Sequence, residues 1–394
     1  MRIALVKPDW GIRGGFEVVV DRIESELQAD GHEVERVEVA VAELPRTPFG
    51  VKVDDGVWSR ATEWFSHFAM LDRFRALDLA RADVVLSTQP PSYAVRHPRH
   101  LSLFYHHARA FYDLSDLWVE AGRAPRVLHQ TAAAMLRDAE VQDLAGVTHF
   151  MAGSTRIIER LRQYQGADVP VSLYRSPAPI VADADTSTYD RVLTVSRHEF
   201  TKRTELVVQA LALGDWDGVL VGDGGRLPFV RALASRIALH ECDAAELTPR
   251  DLWLNLGLDE GNEQVVEHER IRIVGRVSDE ELDLLYRTAL CVVAPAYDED
   301  DGLTVLEAMA HARPVIVCRD GGGLTALVED GVNGFVVEPD GVGIAAGIAR
   351  LEGDPELAHA MGLAALETAR ARTAVLARQQ LFEALDLVAD GGLT

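Results

Sequence analysis

One stretch of the chain sets two glutamates, a glycine and a threonine in an order that suits a polar ligand: Pro295-Ala-Tyr-Asp-Glu299-Asp-Asp-Gly302-Leu303-Thr304-Val-Leu-Glu307-Ala-Met-Ala. It follows the apolar run Leu290–Ala294, so the pattern predicts a strand, a loop bearing Glu299 and a helix starting near Gly302. Free N–H groups at such a helix start attract phosphate or sugar oxygens, and the Thr304 hydroxyl in the first turn can add to them. Glu307 shares a face with Thr304. A carboxylate there repels phosphate, so its use is to accept hydrogen bonds from hydroxyls such as those of a ribose. Glu299 is placed to do the same for a sugar ring. The competing reading is an acidic helix start that only complements the helix dipole, and the run alone leaves both open.

Three further kinds of segment carry candidates. Ser196-Arg197-His198-Glu199-Phe200-Thr201-Lys202-Arg203 gathers three cations after the run Val192–Val195. Two of them a few ångströms apart suit a diphosphate leaving group, whose charge grows as the sugar–oxygen bond breaks; the bland alternative is surface charge. Glycine turns follow other runs, at Gly222-Asp-Gly224-Gly225, Gly321-Gly-Gly323 and Gly11-Ile-Arg-Gly14-Gly15. Each lets a backbone approach a ligand closely, but such a turn is more often only a turn in the first two, and phosphate contact and simple loop geometry stand level in the third. Tyr105-His106-His107-Ala-Arg109 closes another run. Adjacent residues of an extended chain face opposite ways, so at most one of these histidines reaches a ligand. No third ligand at a metal-binding spacing accompanies them.

The elements that must hold these loops are short apolar strands alternating with helical-period segments. Strands are expected at Ile3–Val6, Val34–Val39, Val84–Ser87, Leu101–Tyr105, His149–Ala152 and Val171–Tyr174, then at Val192–Val195, Gly218–Val221, Ile271–Val274, Leu290–Ala294, Val315–Val317 and Phe335–Val337. Phe16, Val19, Val20, Ile23 and Leu27 outline an amphipathic helix ending at Gly31. The alternation implies an α/β fold of parallel sheets covered on both faces. Ligands of such sheets bind beyond the carboxyl ends of the strands, where every candidate above sits. A Pro/Ala/Asp-rich linker over Arg175–Asp190 divides the chain, and the acidic segment Cys242–Arg270 reads as an insertion. The expected domains are 1–175, 176–375, and a C-terminal helix over 376–394 packing back on the first.

A formal net charge of −23 argues against a general nucleic-acid role. Only Lys7, Lys52 and Lys202 are lysines, which singles out Lys202 among the cations. No apolar run approaches the roughly 20 residues of a membrane span, and the N-terminus does not read as a signal peptide; a cytoplasmic protein is expected. Cys242, Cys291 and Cys318 have no metal spacing, and the last two fall in strand-like runs as core thiols.

In order and spacing these residues resemble the family-4 retaining glycosyltransferases of the GT-B fold. The resemblance is densest from Val192 to Asp340. Glu299 and Glu307 match the family's paired glutamates, with Gly302-Leu303 between them, and Arg197 and Lys202 fall at its diphosphate-binding pair. Gly14-Gly15 match its N-terminal glycines, and Ile273-Val-Gly275-Arg276 and Gly321-Gly-Gly323 match landmarks of the donor pocket. His107 best matches its N-domain histidine, although Ala108-Arg109 depart from the pattern that follows. Asp300-Asp301 replace the glycine and aromatic often seen after the first glutamate.

The resemblance implies two Rossmann-like domains facing a cleft, a nucleotide-sugar donor (UDP or GDP sugar), and retention without a protein nucleophile. Catalytic contacts fall to His107, Arg197, Lys202 and Glu299. Donor contacts fall to Gly14, Gly15, Gly222, Gly224, Gly275, Arg276, Gly302, Leu303, Thr304 and Glu307. No cofactor and no essential metal are expected. The acceptor, a glycan, lipid-linked or small molecule, is not legible, and a lipid-linked one would bring contact with a membrane surface. Closure over the donor would hinge on the linker and the C-terminal helix. Rival readings are a non-catalytic nucleotide-sugar-binding protein and another GT-B enzyme such as a sugar-nucleotide epimerase. A phosphorylase would need a cofactor lysine late in the chain, and none follows Lys202. A nicotinamide dehydrogenase is disfavoured because the first strand leads to no compact G-x-G-x-x-G.

Overall fold

The computed structural model describes residues 1–11, 14–181, 184, 191–254 and 266–391. They form two compact units, Met1–Ser176 with Ala374–Thr394, and Pro177–Thr373. Of the expected linker, residues 182–183 and 185–190 lie outside the described residues, as do 255–265 of the expected insertion.

The first unit is built on six parallel strands: β1 (Arg2–Asp9), β2 (Glu33–Ala40), β3 (Val84–Ser87), β4 (His100–Phe104), β5 (His149–Ala152) and β6 (Val171–Leu173), in the order β2-β1-β3-β4-β5-β6. The central strands are largely apolar because both their faces are covered: all four residues of β3 are buried, and the His100 ring in β4 bonds the Ser87 hydroxyl at 2.7 Å. Edge strand β2 instead carries Glu33, Glu35, Arg36 and Glu38, charges that discourage pairing with another chain. The helix Gly15–Ala29 buries Val19, Val20, Ile23 and Leu27. It ends where Gly31 takes φ +85°, a left-handed turn that favours glycine. The helix Ala374–Ala389 belongs to this unit, packing Leu381, Leu385 and Val388 inward. Its Arg378 pairs with Glu26 and Asp30 at the end of the first helix.

The second unit repeats the plan with β7 (Arg191–Val195), β8 (Gly218–Val221), β9 (Ile271–Val274), β10 (Ala289–Ala294), β11 (Val315–Cys318) and β12 (Gly334–Val337). All pair in parallel, in the order β12-β11-β10-β7-β8-β9. One face is covered by Leu206, Leu211, Phe229, Leu233, Ile344 and Ile348. The other is covered by Leu285, Val305, Leu306 and Met309. Cys291 and Cys318 are buried in the sheet, and burial pushes both thiols up to about 12, so they act as core residues. From β7 the chain steps outward one way through β8 and β9, then returns to β10 on the other side. The carboxyl ends of β7 and β10 therefore flank the reversal of strand order, the place where open sheets of this kind hold their ligands.

Candidate active site

The loops after β7 and β10 meet at that reversal through one ion pair: the ammonium of Lys202 donates to Oε2 of Glu299. Both side chains are about one-fifth exposed, so the pair is reachable from solvent yet partly desolvated. Arg197, at the other end of the β7 loop, is exposed. Arg203 behaves differently and corrects the expected cluster of three cations. It adopts φ +47°, which turns its side chain into the protein. There its guanidinium grips Asp320 at 2.6 and 2.8 Å and the Pro295 carbonyl at 2.8 Å, beneath the rings of Trp253 and Tyr297. Arg203 ties the β7, β10 and β11 loops together, and the cations left on the outer side are Arg197 and Lys202.

Glu299 is held by backbone pairing that extends the sheet past β10. The Glu299 N–H donates to the Gly321 carbonyl at 3.0 Å, and the Gly323 N–H donates to the Glu299 carbonyl at 2.8 Å. A Cβ at Gly323 would lie 2.2 Å from the Asp300 carbonyl oxygen, so the glycine turn is required by this close approach of two loops. Asp300 and Asp301 are buried beside it, so the two extra acids after Glu299 do not form an acidic surface at the loop. The helix Leu303–Ala310 then starts from Gly302 at φ +83°. Leu303 and Thr304 stand half-buried in its first turn, which holds no acidic side chain. Glu307 accepts a hydrogen bond at 2.9 Å from the Tyr286 hydroxyl, and burial raises its carboxyl above the usual range.

The loop Gly222–Gly225 owes its first glycines to packing. A Cβ at Gly222 would fall 1.8 Å from the Ser196 carbonyl oxygen, and one at Gly224 2.4 Å from that of His198. Both thus press the β8 loop onto the backbone flanking Arg197. Gly275, after β9, is the opposite case: its φ is ordinary and a Cβ there would meet nothing within 4 Å. The fold does not require glycine at this position, which leaves room for a ligand. Arg276 beside it is exposed.

Gly14, Gly15 and His107 belong to the first unit. Gly14 caps the helix Gly15–Ala29, its N–H donating to Glu17 at 2.9 Å. Nearby Lys7 is buried in β1, 4.0 Å from Glu17 and 3.7 Å from Glu38. His107 is buried: its ring stacks on Tyr112 at 4.2 Å and meets Phe104 and Tyr164 edge-on. Desolvation lowers its pKa to about 3, so it is neutral. Its neighbour His106 is the half-buried one, with Nδ1 at 2.6 Å from the His107 carbonyl oxygen. The alternation that separates the two rings was expected; which of them lies inside was not. Tyr112 in turn donates at 2.6 Å to Glu140, a buried carboxylate that also takes Tyr93 and His67 at 2.6 Å.

Asp320, Tyr286 and Glu140 were not among the expected residues. Asp320 stands two residues beyond the end of β11, where the strand-end rule would have found it. Tyr286 and Glu140 lie inside helices, among apolar residues that read as core.

Comparisons with known proteins agree with the fold. Residues 263–388 match the family model "Glycosyl transferases group 1". A D-inositol 3-phosphate glycosyltransferase of Corynebacterium efficiens is 34% identical over 151 residues, 37% of this chain and 33% of that protein. The lipopolysaccharide core biosynthesis mannosyltransferase LpcC of Rhizobium leguminosarum bv. viciae is 40% identical over 108 residues, 27% of this chain and 30% of that one. The match thus spans about a third of each relative. Sucrose-phosphate synthase from Thermosynechococcus elongatus superposes with a TM-score of 0.67 at 19% identity, covering 97% of this chain and 98% of its own. Anabaena HepE in complex with UDP-glucose superposes with a TM-score of 0.63 at 18% identity, covering 98% and 99%. At such identities the two structures show the fold alone, and that fold is GT-B: two parallel six-stranded sheets, each covered by helices.

Proposed function

We propose that the chain is a retaining glycosyltransferase that moves a hexosyl group from a UDP or GDP sugar to a hydroxyl acceptor. The observation that carries this reading is the Lys202–Glu299 pair at the reversal of strand order, beside a helix start free of acidic side chains. The relatives named for glycosyl and mannosyl transfer, and the neighbour bound to UDP-glucose, support it.

Arg197, Lys202 and the N–H groups at Gly302–Thr304 take the negative charge that builds on the departing diphosphate. The bond from the anomeric carbon to the phosphate oxygen breaks as the acceptor oxygen bonds to the same face. The acceptor proton passes to the departing phosphate oxygen. A diphosphate competes with Glu299 for Lys202, and the released carboxylate then accepts from hydroxyls of the sugar. Tyr286 occupies Oε2 of Glu307, so Oε1 is assigned to a ribose hydroxyl. Gly275 and Arg276 are assigned to the base. Substrate contact in the first unit is assigned to His106, because the His107 ring is enclosed.

Charge neutralisation is given to side chains and not to a divalent ion, so turnover should survive EDTA. The test is a panel of UDP-, GDP-, ADP- and dTDP-sugars read by thermal shift and slow donor hydrolysis. One nucleotide that stabilises and is hydrolysed supports a transferase. No shift with any of them, or activity lost to EDTA and restored by magnesium, counts against the reading.

A further inference from the structure

A cavity of about 600 Å³ opens in the first unit, between the start of the helix Thr62–Arg75, the segment Phe111–Trp118 and the start of the helix Arg126–Ala145. Its size falls in the range of sites for single small molecules, well short of what a docked helix needs. Its walls are Trp64, Phe65, Phe111, Trp118, Leu128 and Met135. Four of the polar groups among the lining residues are already hydrogen-bonded within the protein. Trp64 donates to the Ala132 carbonyl at 3.0 Å, His129 bonds the Ala110 carbonyl at 2.8 Å, and the hydroxyls of Thr62 and Thr131 donate to Trp58 and Val127 carbonyls. A sugar ring needs partners for several hydroxyls, whereas these walls offer mainly ring faces and methylenes, with Arg60, Glu63 and Arg123 as the charged groups.

Two further observations define the occupant. The apolar surface continues outward: Leu128 is 66% and Met135 53% exposed, and exposed Phe49 joins the wall through ring contact with Trp64. Among the charged lining residues, exposed Arg60 and Arg123, the latter lying over the Trp118 ring at 4.8 Å, outnumber Glu63, on a chain whose net charge is −23. Arginines at an apolar mouth suit an anionic head.

We propose that this cavity binds a single anionic amphiphile, an acyl or isoprenoid chain carrying a phosphate, with the chain against the aromatic walls and the phosphate at Arg60 and Arg123. Under the transfer proposed above, which this assignment deepens, that molecule is the acceptor or its lipid anchor.

The probes are dodecyl phosphate below its micelle concentration, dodecyl maltoside, inorganic phosphate and phosphatidylglycerol vesicles, titrated against tryptophan fluorescence of the whole chain. Dodecyl phosphate should saturate at one molecule per chain, at least tenfold tighter than dodecyl maltoside or inorganic phosphate. Leu128→Asp, at an exposed position, should weaken it about tenfold. Arg60→Gln with Arg123→Gln should weaken it to the level of the neutral amphiphile, leaving dodecyl maltoside unchanged. Equal binding of both amphiphiles, binding to vesicles without binding to the monomer, or full affinity in Leu128→Asp overturns the proposal. Nucleotide-sugar thermal shifts should be unaltered in every variant. A wild type that binds dodecyl phosphate but no nucleotide sugar would defeat the transferase reading and leave the amphiphile site standing.

Discussion

Three neighbouring cations after β7 do different work, and single substitutions separate them. Lys202 faces Glu299 at a partly open position, so Lys202→Ala removes a charge that matters most when the diphosphate departs. Losing one such stabilising group typically lowers turnover by about 10² to 10³-fold. Donor hydrolysis should fall by that order while the thermal midpoint stays within a degree or two of wild type. Glu299→Gln removes the competing carboxylate as well as its acceptor capacity, so it should lower turnover while donor binding holds or tightens. Unfolding of either variant, with activity per folded molecule intact, would refute these roles. Arg203→Ala should show the reverse pattern. It leaves Asp320 without its bidentate partner and two carbonyls without a donor. Asp320 keeps about a third of its exposure, which tempers the loss to on the order of 2 kcal/mol, visible as a lowered urea midpoint. Sequence adjacency could not reveal this division, because the inward turn of Arg203 rests on one left-handed backbone angle.

At the level of elements, glycines that look alike in sequence separate into those the fold needs and one it does not. Gly323→Ala drives a Cβ into the Asp300 carbonyl, so the β10 loop must shift and carry Glu299 with it. Loss of nucleotide-sugar binding together with a lowered thermal midpoint is expected. Gly275→Ala meets no atom, and removing a glycine from an ordinary backbone conformation tends to stabilise by about 0.4–1 kcal/mol. That variant should keep or raise its melting temperature yet bind donor more weakly; unchanged donor affinity would remove Gly275 from the site. Most of the twelve strands were legible because buried parallel strands are largely apolar, while edge strand β2 was legible from valines spaced among its charges, and the ends differ mainly at β1, which runs on to Asp9. Loop-to-loop pairing left no such mark. Nothing in the string of letters distinguishes Gly323, pressed on a carbonyl, from Gly275, standing in open space. The histidines show the same limit: alternation requires one ring to be enclosed, and only the packing of Tyr112 and Tyr164 decides for His107.

Across the whole molecule the buried titratable groups are unevenly shared, and acid should therefore act on the first unit before the second. His100 and His107 in the first unit are held neutral by burial, each with a pKa of about 3, and His149 is lowered as well. Above the unfolded value of about 6.5 both states are neutral and the contribution of these groups is complete. Below it the unfolded chain takes up protons that the native unit refuses, so stability falls as pH drops from about 6.5 toward 3. The cost is about 1.4 kcal/mol per pH unit for each uncompensated histidine. Glu140, held below the usual carboxylate range by His67 and the two tyrosines, adds to the loss at the acid end, whereas Asp143, raised by burial, opposes it. In the second unit His198, lowered to about 4, and His268 act in the same sense. There Glu205, pushed up to about 7 by burial, takes a proton in the native state that the unfolded chain does not bind until about 4.5, and Glu307 is raised too. Those two carboxyls offset the two histidines, Asp283, lowered by Arg287 and His311, adding a loss only at the acid end, whereas among the described residues of the first unit Asp143 alone stands against three histidines. Relief of the repulsion implied by a net charge of −23 comes mostly when surface carboxylates protonate, near pH 4. Calorimetry at pH 7.5 and pH 5.5 checks this. On acidification one transition should move to lower temperature and be insensitive to nucleotide sugar, while the donor-sensitive transition stays within a few degrees. Ring resonances of His100 and His107 should keep their neutral positions at pH 5.5. A donor-sensitive transition that falls first, or either ring titrating near 6.5, would show that burial does not govern the acid response.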